Sequence, residues 1–527
     1  MKNKLRIAAL AIAVLLASWL VVRGCTPEPE PVKPPPASPR EAFHAGRPLR
    51  LVLIATPDKK GERAQLAWLE HELHHLLTRG KMHIAPVGLH ASRAALSKDA
   101  TGAHVGDKYV LRVALAADAM QGSIALIAPD QVLEREHTFE IAKGTRLAVA
   151  HAFGRELPAF LSAPDAASDW SAFLGTSDAK AYETFTRALS DILGPDGRGF
   201  TRPPTSPARV RSIERLESLT KSDRRFARAR ALLAIGYLSL GGEDEASLTQ
   251  LAESSAERAV ALDTNLAEAH AALGLVALRR NEWIAARDQF DAALTLNQNS
   301  VAALEGLACL LADAGLYNAA KPIARRAVAL QPRNVGANEC LAYVVSESAE
   351  TTPAENGGQG AADGQVLALK AILAGDLPLA ERVLRDALHP RQFALWAQPV
   401  LRAAGGRRYI PDALRAVTRS ANDERIGAST EVLCGAALRQ SEFVFNRMTR
   451  LQRQRVHAPL RILWLPETGF LRQHARFEDI ISTAGLPAFW QEHGAPDICA
   501  REPATYGCKA GREANREEPR KTAQRNE

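Results

Sequence analysis

The apolar positions of this chain change their spacing several times, and each change marks a different kind of element. Ile7–Val22 is an apolar run broken by Ser18, with Lys2, Lys4 and Arg6 ahead of it and Arg23 behind. A basic stretch followed by such a run is a secretory signal or an uncleaved anchor. Leu49–Ala55 is a short, nearly continuous apolar run, the pattern of a buried strand. Over Glu62–Arg79 the spacing becomes helical: Leu66, Leu69, Leu73, Leu76 and Leu77 form one stripe, and Gly80 stands at the C-cap. Met82–Val87, Tyr109–Leu115, Ser123–Ile127 and Val132–Ile141 read as further strands, and Thr145–Leu161 as a closing helix. Residues 48–163 therefore predict a small α/β domain with helices packed on a sheet.

Further along, the period lengthens to 34 residues. Ala259, Ala293 and Ala327 keep this step, as do Leu273, Leu307 and Leu341, Ala286 and Ala320, and Thr264, Gln298 and Pro332. Small residues at fixed places in a 34-residue period are the tetratricopeptide (TPR) signature, because they let the two helices of each hairpin approach closely. Trp283, Phe290 and Tyr317 are the bulky residues that fill the groove between them, and Gly315 and Gly375 sit at inter-helix turns. Residues 267–300 and 301–334 are the clearest units, with further ones at 229–266 and 361–391 and a degenerate first one at 177–225. Ser346–Asp363, polar and Gly-rich, reads as a flexible loop inside an array spanning 176–390. Residues 391–499 continue as a degenerate TPR-like helical region, and 500–527 as a disordered tail. The expected fold class is mixed: a membrane segment, a small α/β domain, then an all-α TPR superhelix.

Two resemblances follow from particular residues. The start LRLVLIA, the amphipathic helix, and HVGDKYVLRVAL with Gly106 and Tyr109 opening a strand resemble the TolB amino-terminal-like domain. The stretch 460–499 resembles the end of the TPR regions in CadC-type membrane transcription regulators and certain adenylate cyclases. The matching residues are Trp464, Pro466, Arg476, Phe477, Gly485, Leu486, Phe489, Trp490, Pro496, Asp497 and Cys499. Together the resemblances cover roughly 50–499 and imply the extracytoplasmic part of such a protein. Those relatives carry a winged-helix or cyclase domain ahead of the membrane segment. Six residues precede it here, so no DNA-binding or cyclase activity is carried over.

Charge and composition narrow the compartment and the partners. Lys plus Arg is 66 against Asp plus Glu 59, and the net +7 is interleaved along the chain rather than gathered into a basic face. That excludes nucleic acid as an expected partner. The basic residues before Ile7 place the N-terminus in the cytoplasm and the body outside it. Residues 1–24 are then a signal anchor, and the protein a single-pass bacterial inner-membrane protein with a periplasmic body. The alternative is a lipoprotein, since Val22–Cys25 resembles a lipobox with Cys25 as the lipidation site. The Pro-rich segment 25–47 is a semi-rigid linker.

Candidate chemistry is sparse. His71, Glu72 and His75 match H-E-x-x-H, in which two His bind zinc and Glu is the base. At 100° per residue, however, His71 and His75 fall opposite the leucine stripe, on the expected solvent side, and Gly80 and His83 come two residues late for a third ligand. A zinc hydrolase is the remote alternative. Ser177-x-x-Lys180 and Ser218-x-x-Lys221 lack the companion motifs of S-x-x-K enzymes, and Gly194, Gly197 and Gly199 follow no strand. No enzyme and no cofactor is expected. Cys499 and Cys508 form a possible disulfide, whereas Cys309, Cys340 and Cys434 read as small core residues. The TPR inner-wall positions carry Arg230, Tyr237, Glu268, Arg279, Glu305, Asp313, Glu339 and Tyr343. The resulting expectation is a non-enzymatic, membrane-tethered periplasmic TPR scaffold that binds a protein or peptide in this groove. The alternative is the sensory module of a signalling system with a separate cytoplasmic partner.

Overall fold

The computed structural model describes residues 51–55, 68–69, 72–73, 75, 109–116, 119–127, 133–160, 173–193, 207–240, 245–331, 334–345, 361–423, 425–454 and 456–508. The chain divides into two units, Met1–Arg47 and Pro48–Glu527, and the described residues all belong to the second. No helix among them is long and apolar enough to cross a membrane; the expected Ile7–Val22 segment, Cys25, the linker and the Met82–Val87 strand lie outside them.

Four strands form one sheet in chain order: β1 (Leu51–Ala55), β2 (Tyr109–Leu115), β3 (Gln121–Ile127) and β4 (Leu133–Glu140). β1 runs parallel to β2, and the remaining pairs are antiparallel. The register sets Val113 beside Ile124 and Leu111 beside Leu126, so four buried aliphatics share one face. Period-2 alternation requires this outcome. Against that face packs α1 (Arg146–Phe160), whose Phe153 meets Phe139 edge-on at 5.0 Å. Gly122 lies beneath this pair, and a Cβ there would come 2.7 Å from the Phe139 ring.

A run of helical hairpins follows. Their helices are α2 (Ala179–Leu193), α3 (Pro207–Ser222), α4 (Ala227–Leu238), α5 (Glu245–Leu262), α6 (Ala267–Arg279), α7 (Trp283–Leu296), α8 (Val301–Asp313) and α9 (Tyr317–Leu330). α10 (Val335–Val344) comes next, then the pairs α11 (Ala361–Ala374) with α12 (Leu377–Ala387), α13 (Gln398–Gly405) with α14 (Ile410–Asn422), and α15 (Ala428–Ala437) with α16 (Ser441–Arg453).

Two local devices repeat along this array. Between hairpins, Asp223, Asp263 and Asn297 each accept the backbone N–H two residues on, a turn that stops one helix and starts the next. Within hairpins, the chain reverses through a left-handed residue: Asn281, Gly315, Gly375 and Arg439 all have φ between 57° and 87°. Ala259, Ala293 and Ala327 are fully buried, as are Ala286 and Ala320. Phe290 shows why small residues hold their places. Its ring lies between α6 and α8, where a Cβ on Gly274 would come 2.5 Å from it and a Cβ on Gly306 2.3 Å.

The last segment does not extend the array. Residues 456–508 contain short helices, among them α17 (Phe477–Thr483) and α18 (Leu486–His493), and fold back onto α7, α8 and α11. Trp464 and Trp490 are buried there and meet edge-on at 5.6 Å.

Gly306→Ala tests the Phe290 packing, because two known effects oppose each other. Helix propensity alone favours Ala over Gly by about 1 kcal/mol, whereas overpacking costs roughly 1–3 kcal/mol. The expected result is a lowered melting temperature by circular dichroism; a variant as stable as the wild type would show that the ring has room to move.

Candidate functional site

The face expected to line the groove is built by the first helix of each hairpin, and two buried charge clusters stand on it. The first joins α4 and α6 to the helix that carries Trp68, Leu69, Glu72, Leu73 and His75. Glu72 is fully buried and takes a bidentate pair from Arg228, at 2.8 Å from Nη1 and 2.5 Å from Nη2. The Tyr182 hydroxyl donates to the same carboxylate. Burial would push the Glu72 carboxyl up, but the Arg228 charge and its hydrogen bonds hold it below the usual range. His75 Nδ1 lies 3.1 Å from Glu268 Oε1, and burial at Glu268 is likewise outweighed by His75, which holds that carboxyl down at about 2.

These contacts correct the expectation of a solvent-facing His75. The stripe opposite the leucines faces the repeat array, so Glu72 and His75 are buried by tertiary packing that a helical wheel does not contain. Both Glu72 oxygens are committed to Arg228 and Tyr182, which leaves no free carboxylate to act as a base. His71 lies outside the described residues. Among the described residues, no group of three His, Cys, Asp or Glu side chains is placed to hold a metal.

The second cluster is centred on Asp313, the last residue of α8 and fully buried. Arg461 comes from the returning C-terminal segment and donates to it from Nε at 2.9 Å, Nη2 at 2.7 Å and its own backbone N–H at 2.8 Å. His457 Nε2 adds a contact at 3.0 Å. Burial is outweighed by the Arg461 and His457 interactions, and the Asp313 carboxyl falls to about 2. The carbonyls that α8 leaves without helical partners are also taken up. Trp464 Nε1 donates to Asp313 O at 2.8 Å, Trp490 Nε1 to Ala314 O at 2.9 Å, and the Asp497 N–H to Gly315 O at 2.9 Å. The Asp497 carboxylate accepts from the Asn318 N–H at 2.7 Å, and Trp283 Nε1 donates to Ala484 O at 2.6 Å. Arg472 fastens the segment to itself through Leu463 O, Leu465 O and Glu502.

The remaining candidate groove residues are spread over this face and its edges. Glu305 and Glu339 occupy the same place in α8 and α10, half-buried, and Tyr343 is buried with its hydroxyl unpaired. Burial raises the Glu305 carboxyl to about 7, helped by the Glu339 charge against Arg461 and an Asn334 hydrogen bond. Arg279 pairs with Glu245 at 3.3 Å and donates to Leu238 O. Arg230 instead holds the carbonyls of Thr220 and Arg224, and Tyr237 donates to Glu217 at 2.7 Å, so both face the preceding helix α3. The residue of α4 that corresponds to Glu268 is Arg228. Aligning Asp223 with Asp263 in the repeated turn would have shown this.

Cysteine placement also differs from expectation. Cys309 and Cys340 are joined as a disulfide between α8 and α10 rather than standing as separate core thiols, because consecutive first helices bring their Cα atoms to 5.5 Å. Cys499 and Cys508 form a second disulfide, and Cys434 is a buried free thiol.

No family model and no curated protein matches the chain. Among solved structures, the crystal structure of MamA is similar over 35% of this chain and 88% of its own length, with 19% identity and a TM-score of 0.22. A score that low carries no argument, and the TolB-like and CadC-type resemblances rest on the residues quoted above.

The two carboxyls on α8 predict opposite pH dependences. Asp313 has a lowered value in the folded protein, so its stabilisation is present above about pH 4 and is lost as pH falls towards 2. Glu305 has a raised value, so stability falls as pH rises through the window from its unfolded value of 4.5 to about 7. Glu305→Gln is expected to stabilise at pH 8 and to change little at pH 4, read as denaturant midpoints. Asp313→Asn leaves Arg461 buried without its counter-charge and is expected to cost about 3–5 kcal/mol at pH 7. Equal midpoints for the Glu305 variant and the wild type at both pH values would overturn the raised carboxyl.

Proposed function

We propose that the chain is a non-enzymatic TPR scaffold, tethered to a bacterial inner membrane with its body in the periplasm, which recruits a protein partner. The observation that carries this reading is the stacking of like hairpins, which repeats one inner-wall position from Glu305 to Glu339 at the 34-residue step. Stacked hairpins present an extended face to a ligand, and this one offers half-buried carboxylates to a basic or hydrogen-bond-donating peptide. The C-terminal segment covers that face at Asp313. The partner is therefore assigned to the other ends of the first helices, near Glu268, Glu305 and Glu339. Supporting the compartment are the apolar Ile7–Val22 run and two disulfides, a combination expected outside a reducing cytosol.

Two measurements test this. A photo-crosslinking residue at Glu339 is expected to capture a protein that the same residue at Lys321, on α9, the second helix of the preceding hairpin, does not; equal capture from both would remove the groove reading. Deleting residues 1–24 is expected to release the protein from the membrane fraction. Cys25→Ser then separates the two tethers: it abolishes acylation of a lipoprotein and leaves a helical anchor in place.

A further inference from the structure

The disulfide between Cys309 and Cys340 has an asymmetry that the scaffold reading does not use. Cys309 lies on the half-buried wall of α8, whereas Cys340 is buried at 1% exposure. Arg461 spends Nε and Nη2 on Asp313 and directs its third nitrogen, Nη1, at Cys340 Sγ, 2.8 Å away. The second disulfide is alike in burial but has a polar neighbour of the opposite kind. Cys499 is half-buried and Cys508 fully buried, but the oxygen beside Cys508 Sγ, at 3.6 Å, is the Glu502 carbonyl. A thiolate at Cys340 would face a guanidinium N–H; a thiolate at Cys508 would face a lone pair.

From this geometry we infer that Cys309–Cys340 is a site of thiol–disulfide exchange, with a thiol as its substrate class. An incoming thiolate attacks the sulfur of Cys309, the less buried residue of the pair. A bond forms between the two sulfurs, the Cys309–Cys340 bond breaks, and its electron pair leaves on Cys340 as a thiolate held by Arg461 Nη1–H. Where the reagent is a dithiol, its second thiolate attacks its own sulfur in the mixed disulfide. That releases Cys309 as a thiolate and leaves the reagent oxidised and the protein reduced by two electrons. Which sulfur is attacked follows access, and the rate follows how well the leaving thiolate is stabilised. Asp313, Glu339 and Tyr343 also surround Arg461 and draw on its charge, so opening this disulfide is coupled to the contacts that hold the C-terminal segment.

The oxidised full chain, incubated with reduced glutathione, quenched with N-ethylmaleimide and mapped by mass spectrometry, tests the inference. Glutathione is expected on Cys309 and maleimide on Cys340, before Cys499–Cys508 opens. Arg461→Gln is expected to slow that opening about tenfold while leaving the second disulfide unchanged. Should that variant unfold, the Asp313→Asn, Arg461→Gln double variant removes both charges together and serves the same purpose. Glutathione on Cys340, earlier opening of Cys499–Cys508, no adduct at all, or an unchanged rate in the folded variant would each overturn the proposal.

Discussion

The buried pair between Asp313 and Arg461 fixes how the second half of this protein is put together. Asp313 ends α8, where the chain is about to reverse through Gly315, and a carboxylate there with no partner would carry a desolvation cost of several kcal/mol. Arg461 removes that cost with three N–H donors, one of them from the backbone, so it fixes the main chain of the C-terminal segment as well as a side chain. Two indoles and the Asp497 N–H then occupy the last carbonyls of the helix and its turn. Buried ion pairs are a poor source of net stability, but they penalise every alternative packing. Here a C-terminal segment in another register would leave the buried Asp313 carboxylate without Arg461.

The same physics operates where the α/β part meets the repeats. Arg228 gives Glu72 a bidentate partner, Tyr182 adds a hydroxyl, and Glu268 receives His75. Each carboxylate sits on one structural part and its side-chain partner on the other, so the Glu72 carboxylate is buried only where the two parts meet. The first helices of the hairpins thereby hold two kinds of residue. Some, such as Asp313, are satisfied by distant segments of the same chain; others, such as Glu268 at its Oε2, Glu305 and Tyr343, keep polar atoms poorly matched by their surroundings. The second kind is where a ligand has free energy to gain.

The C-terminal motif residues take on a structural meaning in this setting. Trp464, Trp490 and Asp497 are the groups that close the α8 turn, and Arg476 binds Asn446 and Thr449 of α16. A pattern readable as a family likeness is, in physical terms, a set of donors that close the α8–α9 turn and tie the C-terminal segment to α16.

What the sequence by itself determined is what depends on neighbours along the chain. Strand alternation marked β2 to β4 to within a few residues, the 34-residue step marked Ala259, Ala293 and Ala327 as buried, and Gly315 and Gly375 marked their turns, because sterics within a strand or hairpin are local. Only the tertiary structure decided which face of the Glu72 helix is buried, that Arg228 rather than Arg230 meets the α/β part, and that Cys309 pairs with Cys340. It also decided that Asp313 is answered from 148 residues away. A charged residue reads the same in sequence whether it meets water or a buried partner. Its role is set by desolvation, and desolvation exists only once distant segments have packed.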